Sequence, residues 1–231
     1  RACGGLLASC SSDGCVYLFE SAGASRQTLR SHAGEGSGLA WQPSGRALAS
    51  CALDGGLAVW DVDAGRALAT HASPRPLSAV CFHAQSPSLL AAAGQSCAVS
   101  LFDLRRPQLP FLELAAHTRE VACLDFAAAQ PFLLLTGGGD GLAKLWDLRC
   151  LTEELQAFEA HAEGLTRVEW CPHNASVFAS AGADGRVCLW DCAQLARENA
   201  PQPFFRHAGH AGAVLDARWD AGEELGLLSV D

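Results

Sequence analysis

A histidine, a hydroxyl and a carboxylate stand at His117, Thr136 and Asp140. Held together, side chains of these types can make a nucleophile, because the carboxylate orients the imidazole and the imidazole takes the hydroxyl proton. The same types recur at His161, Ser180 and Asp184, with the hydroxyl again nineteen and the acid twenty-three residues after the histidine. They recur once more at His32, Ser50 and Asp54, one residue short on the way to the hydroxyl. An aromatic nine residues after each histidine (Trp41, Phe126, Trp170) and a closing pair (Trp60-Asp61, Trp146-Asp147, Trp190-Asp191) complete the grid. A hydrolase needs one such trio, so a copy in every repeat points to a structural unit. No isolated nucleophile, phosphate-binding loop or metal-ligand set stands elsewhere, and the chain is read as non-enzymatic, without cofactor or metal.

The elements that must carry these residues are strands. VACLDF (121 to 126), FLLLTG (132 to 137) and LAKLWDL (142 to 148) are rich in aliphatic and aromatic residues and are separated by turn formers. Asp-Gly pairs at 13-14, 54-55, 140-141 and 184-185 supply the positive-φ positions of tight hairpins. One such small sheet cannot cover its own apolar faces and must stack on neighbours.

Self-similarity at a period of 41 to 44 residues, with His early and Trp-Asp late, resembles the WD40 family. The resemblance covers nearly the whole chain and implies an all-β fold, a WD40 β-propeller of about seven blades in the full protein. Within a blade it implies one buried, hydrogen-bonded set of His, Ser/Thr, Asp and Trp: His32, Ser50, Asp54 and Trp60; His117, Thr136, Asp140 and Trp146; His161, Ser180, Asp184 and Trp190. The physical need is to pair an Asp and a His that would otherwise be desolvated at large cost.

Taken in order, residues 1–231 read as one propeller domain holding about five blades' worth of sequence, with both ends cut inside a blade. Residues 1–20 are the back half of a blade, its first strand and His lacking, and residues 21–31 connect to the outer strand of the next. Blades follow at 32–61, 71–103, 117–147 and 161–191, and a last partial one at 210–231. The third is degenerate: Ala92 stands where the hydroxyl belongs and Ser96 replaces the Asp, while Phe102-Asp103 still closes it. Residues 105–114 are a proline-bearing connector, and residues 192–207 are a surface loop. In the last blade His210, Trp219 and Ser229 fit the grid, but Asp231 comes too early to be the turn acid.

Hydrophobic residues make up 49% of the chain and charged residues 18%, which fits a packed core and not disorder. A net charge of -9 argues against general nucleic-acid binding and suits a basic partner. Eleven cysteines without a CxxC pair, among them Cys51, Cys81, Cys123 and Cys188 inside strand patterns, read as thiols of a reducing compartment. Cys171-Pro-His173 lacks a second ligand pair, and Asn174-Ala175-Ser176 is a glycosylation sequon without a secretory context. No apolar run is long enough to span a membrane. The chain starts at Arg1 and contains no Met, so it is read as a fragment.

Finer matches narrow the resemblance. LRSHAGEGSGLAW (29 to 41), AAHTREVACLDF (115 to 126), LWDLRCL (145 to 151) and FEAHAEGLTRVEWCPHNASVFASAGADGRVCLWD (158 to 191) resemble the histone-binding WD40 family, of retinoblastoma-binding and chromatin-assembly small-subunit type. That resemblance implies a scaffold subunit of chromatin assembly, modifying and remodelling complexes. It would have histones and other subunits as partners, reside in the nucleus with a possible cytosolic pool, and need neither membrane nor sequence-specific nucleic acid. It implies a top-face site for basic tails, whose acids fall three residues past a blade's His, at Glu35 and Glu120; Gly164 and Ala213 occupy that place in two other blades. It implies a second, rim site whose loop here keeps Pro201, Pro203 and Phe204 with Glu198 as its acid. A different class stays open: Asp147 and Arg149 of Trp146-Asp-x-Arg149 resemble the motif by which some WD40 proteins dock as substrate receptors on cullin-type ubiquitin ligases, and Phe102-Asp-x-Arg105 is a looser copy.

Overall fold

The computed structural model describes residues 2–3, 5–20, 25–106, 109–194, 201–220, 222–223 and 226–231. Among these the regular structure is antiparallel β, with one short 3-10 turn at Cys192–Gln194. The chain forms two compact units, residues 1–115 and 116–231.

The first unit holds three four-stranded sheets, each a meander in chain order. The first is β1 (Ala2–Cys3), β2 (Leu6–Cys10), β3 (Cys15–Glu20) and β4 (Ser25–Arg30); the second is β5 (Gly36–Trp41), β6 (Ala47–Ala52), β7 (Gly56–Asp61) and β8 (Arg66–Ala72). The third is β9 (Leu77–Phe82), β10 (Leu89–Gly94), β11 (Ala98–Asp103) and β12 (Leu112–Ala115). In the second unit β13 (Val121–Phe126), β14 (Leu133–Gly138), β15 (Leu142–Asp147) and β16 (Gln156–Glu159) form the fourth sheet. The fifth is β17 (Leu165–Trp170), β18 (Val177–Gly182), β19 (Val187–Asp191) and β20 (Phe205–His207), and a sixth pairs only β21 (Asp216–Trp219) with β22 (Leu227–Val230).

The second strands β6 and β18 run fully buried, because both of their faces meet a neighbouring sheet. Leu18, Leu29, Leu48 and Trp60 join the first sheet to the second, and Leu57, Val80, Leu90 and Phe102 join the second to the third. Leu135, Phe158, Val168, Phe178 and Trp190 join the fourth to the fifth, and a smaller cluster of Ala181, Val187, Val214 and Ala217 joins the fifth to the hairpin.

Four readings of the sequence are corrected here. The first sheet has a first strand, two residues long, pairing Ala2 with Leu7. Its connector does not lead into the next blade: β4 pairs with β3 and so completes the sheet before it. The loop at 192–207 ends in a strand, with Phe205 opposite Leu189. And His71 does not open the third blade, since it lies in β8 opposite Leu57 and sets its ring against Phe102 at 5.0 Å.

The third sheet replaces the polar set with apolar packing. Leu90, Ala91, Ala92 and Ala93 are all buried, so losing the hydroxyl has left a dense strand. Its β10–β11 turn departs from the others, where Gly14, Gly55, Gly141 and Gly185 hold φ between 73° and 81°. Cys97 sits there at φ 60°, a left-handed conformation that a side chain disfavours. Cys97→Gly is expected to raise the unfolding free energy by up to about 1 kcal/mol. Denaturant melts check this, and a loss would mean that the Cys97 side chain contributes packing that outweighs its backbone strain.

Candidate functional site

In the fourth sheet the trio closes with short bonds. His117 Nδ1 lies 2.9 Å from Asp140 Oδ1, and His117 Nε2 lies 2.9 Å from Thr136 Oγ1. A carboxylate only accepts, so the proton sits on Nδ1; Nε2 of the neutral ring then accepts from the Thr136 hydroxyl. Trp146 Nε1 donates to that same oxygen at 3.0 Å. The fifth sheet repeats the chain of donors: His161 to Asp184 at 2.8 Å, Ser180 with His161 at 2.9 Å, and Trp190 to Ser180 at 3.0 Å. Burial pushes the pKa of both imidazoles down, against the pull of their aspartates, and favours the neutral rings this network requires.

The turn acid does more than face the ring. Burial pushes Asp140 up, but the N–H groups of Thr118 and Leu142 together with His117 outweigh it and hold the carboxyl below its ordinary range. Asp140 thus ties the loop before β13 to the β14–β15 turn. In the second sheet His32 bonds Ser50 at 2.7 Å and Trp60 donates to Ser50 at 2.8 Å. Asp54 stands 3.8 Å from His32 Nδ1 and spends its oxygens on the N–H groups of Ala33 and Gly56 at 2.6 and 2.7 Å. The last hairpin corrects the reading of Asp231, which accepts from Ala211 N at 3.1 Å and lies 3.6 Å from His210 Nδ1, in the same role as the other turn acids.

Side by side, these groups match a hydrolase triad in connectivity. What they lack is access. Ser50 and Thr136 are 0% exposed and Ser180 1%, and an indole N–H already occupies each oxygen. These three hydroxyls serve as junctions between strands.

The remaining site residues lie on the surface. Glu35 is exposed, and its carbonyl accepts from Leu53 N at 2.9 Å. The same backbone bond recurs from Gly139 to Glu120 and from Ala183 to Gly164, so the three positions are equivalent in their sheets; Gln95 N to Pro76 adds the third sheet, which the spacing did not find. The Glu120 side chain is 45% exposed, with Arg119 Nε 3.8 Å away. Its carboxylate lies over Gly139, where a Cβ would collide with it. Glu35 belongs to the first unit and Glu120 to the second.

On the rim, Glu198 lies outside the described residues. Pro201 and Pro203 are half-buried, and Phe204 is 54% exposed, its N–H donating to Leu189 O at 3.0 Å as the chain enters β20. Arg149 folds back on its own motif: Nε and Nη2 donate to the two Asp147 oxygens at 2.9 and 2.7 Å, and the guanidinium lies 4.6 Å over the Phe132 ring. The hydrogen bonds from Arg149 hold the Asp147 carboxyl down to about 2. Arg105 clamps Asp103 in the same way, at 2.9 and 2.5 Å.

Two acids that the spacing did not single out join neighbouring sheets. Asp125 accepts from Trp170 N at 2.9 Å, and one repeat later Glu169 accepts from Trp219 N at 3.0 Å and from Arg218 at 3.0 Å. Their signal in the sequence is an acid just before the first-strand aromatic, inside an otherwise apolar strand. Among the described residues no group of His, Cys, Asp or Glu could hold a metal ion.

The model of the WD domain, G-beta repeat, matches residues 23–61, 109–147 and 152–191, together just over half of the chain. The chain belongs to the WD40 family. Each match of a WD40 repeat starts before the fourth strand of one sheet and ends with the third strand of the next, which is why β4, β12 and β16 precede the blade their repeat names. No curated protein matches the chain. The WD40 fold makes it an all-β protein of propeller blades, and its general role is that of a protein-interaction scaffold.

Proposed function

We propose that this WD40 chain is a histone-binding scaffold of chromatin complexes, taking basic, Arg- and Lys-bearing tails at loop carboxylates. One observation carries the reading: Glu35 and Glu120 occupy equivalent loop positions, marked by the same backbone bond, and both are accessible to solvent. The net charge of -9 adds a long-range pull on a basic peptide. A nuclear setting goes with this reading, as does a partner in another subunit of such a complex.

The test is a titration of a fluorescent histone-tail peptide at two salt concentrations. Binding is expected to weaken as salt rises, because the carboxylates are screened by water and ions. Glu35→Lys and Glu120→Lys, made separately, are each expected to weaken binding about five- to tenfold while the melt stays unchanged, since neither side chain belongs to a buried set. Unchanged binding by a variant removes its residue from the reading. No binding by the parent chain removes the histone reading.

A second reading, docking on a cullin-type ubiquitin ligase, has one observation in its favour. The Asp103–Arg105 and Asp147–Arg149 pairs share one clamped geometry, with Arg149 still 64% exposed and so pre-positioned for an acidic partner. Capture of a ligase adaptor that is lost in Arg149→Ala supports it over the first.

A further inference from the structure

The loop from first to second strand is closed by the same backbone bonds in the third and fourth sheets. Leu148 N donates to Phe132 O at 2.8 Å and Leu104 N to Ser88 O at 2.8 Å, so Ser88 stands where the fourth sheet has Phe132. Two residues earlier, Gln130 O accepts from Leu133 N at 3.0 Å and Ser86 O from Leu89 N at 2.9 Å, which makes Ser86 the counterpart of Gln130. In the fourth sheet the Phe132 ring lies against the Arg149 guanidinium at 4.6 Å. Ser88 offers Arg105 no ring. An open groove of about 790 Å³ stands there instead, lined by Ser86, Ser88, Asp103, Arg105, Arg106 and Phe111.

This groove sets two guanidiniums and two hydroxyls against one carboxylate, on a chain whose net charge is -9. Asp103 is taken up by Arg105, through Nε at 2.9 Å and Nη2 at 2.5 Å, and Arg106 stands exposed beside them. The positive excess faces a serine that precedes a proline. Ser86 and Pro87 are exposed, and the turn is held in place: His83 Nδ1 accepts from Ser86 N at 2.9 Å, and Gln42 Nε2 donates to Pro87 O at 2.8 Å. A residue before proline favours an extended backbone. The chain has one other Ser-Pro step, Ser73-Pro74. Ser73 is half-buried, its N–H donates to Gly55 O at 2.8 Å, and its oxygen accepts from Arg75 N at 3.2 Å.

We propose that Ser86 is a phosphorylation site for a proline-directed serine/threonine kinase, and that Arg105 and Arg106 receive the phosphate. ATP supplies the group: the bond from the Ser86 oxygen to the γ-phosphorus forms, the bond from that phosphorus to the β-phosphate oxygen breaks, ADP leaves, and the hydroxyl proton passes to the kinase's base. The phosphoserine brings about two negative charges and three strong acceptor oxygens to a place with guanidiniums to spare. It competes with Asp103 for Arg105, so the Asp103–Arg105 clamp becomes an element with two arrangements, set by the modification. The site depends on neither partner reading above.

The folded 231-residue chain is incubated with a purified proline-directed kinase and Mg-ATP, and the label is mapped by peptide mass spectrometry. Phosphate is expected on Ser86; Ser86→Ala loses it, while Ser73→Ala and Ser88→Ala keep it. Phosphorus NMR then follows the second ionisation of the phosphoserine in the chain and in the excised peptide of residues 83–90, HAQSPSLL. In the chain it is expected about 0.5 pH or more lower, because nearby guanidiniums favour the dianion. Arg105→Ala and Arg106→Ala are each expected to move it back toward the peptide value; Arg106→Ala does so with the Asp103–Arg105 clamp intact, which separates loss of a phosphate contact from loosening of the loop. No phosphate on Ser86, or label on Ser73 or Ser88 in its place, overturns the proposal. Equal titration in chain and peptide overturns the role of the two arginines.

Discussion

Asp140→Ala is expected to lower the unfolding free energy by about 3 kcal/mol, and Ser96→Ala by under about 0.5 kcal/mol. Both residues stand at the turn between second and third strands, but only one is wired into its sheet. The Asp140 side chain is 8% exposed and accepts from His117, from Thr118 N at 3.0 Å and from Leu142 N at 3.2 Å. Removing it leaves those donors desolvated and unpaired, a penalty larger than the net worth of the bonds themselves. Ser96 is exposed and donates only to Ala98 O at 3.3 Å, in a sheet whose interior is already apolar. Paired denaturant melts decide it, and equal losses would deny Asp140 its role in joining loop and turn.

Trp190→Ala is expected to cost about 4 kcal/mol, the upper range for emptying an aromatic site that cannot collapse. The indole is 1% exposed, meets Phe158 edge-on at 5.2 Å and stacks on Phe178 at 6.0 Å. Two sheets frame it, so neither can close the cavity without moving the other. An outcome under about 1.5 kcal/mol, the cost of a conservative core swap, would contradict the rigid packing described for the fourth and fifth sheets.

Strand positions were legible in the sequence because β-rich runs alternate with Asp-Gly turns; VACLDF became β13 without a shift, and FLLLTG moved by one residue. The three polar sets were legible because types and spacing repeat. Strand ownership was not: β4 follows a connector, and nothing local tells a strand whether to pair backward or forward. Phe205–His207 was hidden for a related reason, since it contributes only three residues after two prolines. The role of Asp231 was not legible because it falls two residues short of the spacing in the fourth and fifth sheets, while the backbone still brings its carboxylate to Ala211 N. Glu35 and Glu120 could be named as exposed loop acids from their offset, but the fold of Arg149 back onto Asp147 could not, because it depends on a rotamer and on Phe132, far along the chain.

The third sheet lacks both the hydroxyl and the indole of the buried sets. Where the hydroxyl is Ala92, the closing aromatic is Phe102, which has no N–H to satisfy. The buried hydroxyls Ser50, Thr136 and Ser180 each have an indole, whereas Ser9, whose closing aromatic is Phe19, is exposed, as expected if a buried hydroxyl and a buried indole depend on each other.

A double-mutant cycle on Ser180→Ala and Trp190→Phe tests that dependence most directly, since the pair of changes copies Ala92 and Phe102 into the fifth sheet. Ser180→Ala leaves the Trp190 N–H and His161 Nε2 without the hydroxyl, Trp190→Phe leaves Ser180 with His161 alone, and the double change removes hydroxyl and indole N–H together. Unfolding free energies of the four proteins are expected to give a coupling of about 1 kcal/mol or more, the double variant being less damaged than the sum of the singles. Strict additivity would contradict the claim that the repeated His, hydroxyl, Asp and Trp act as one structural junction.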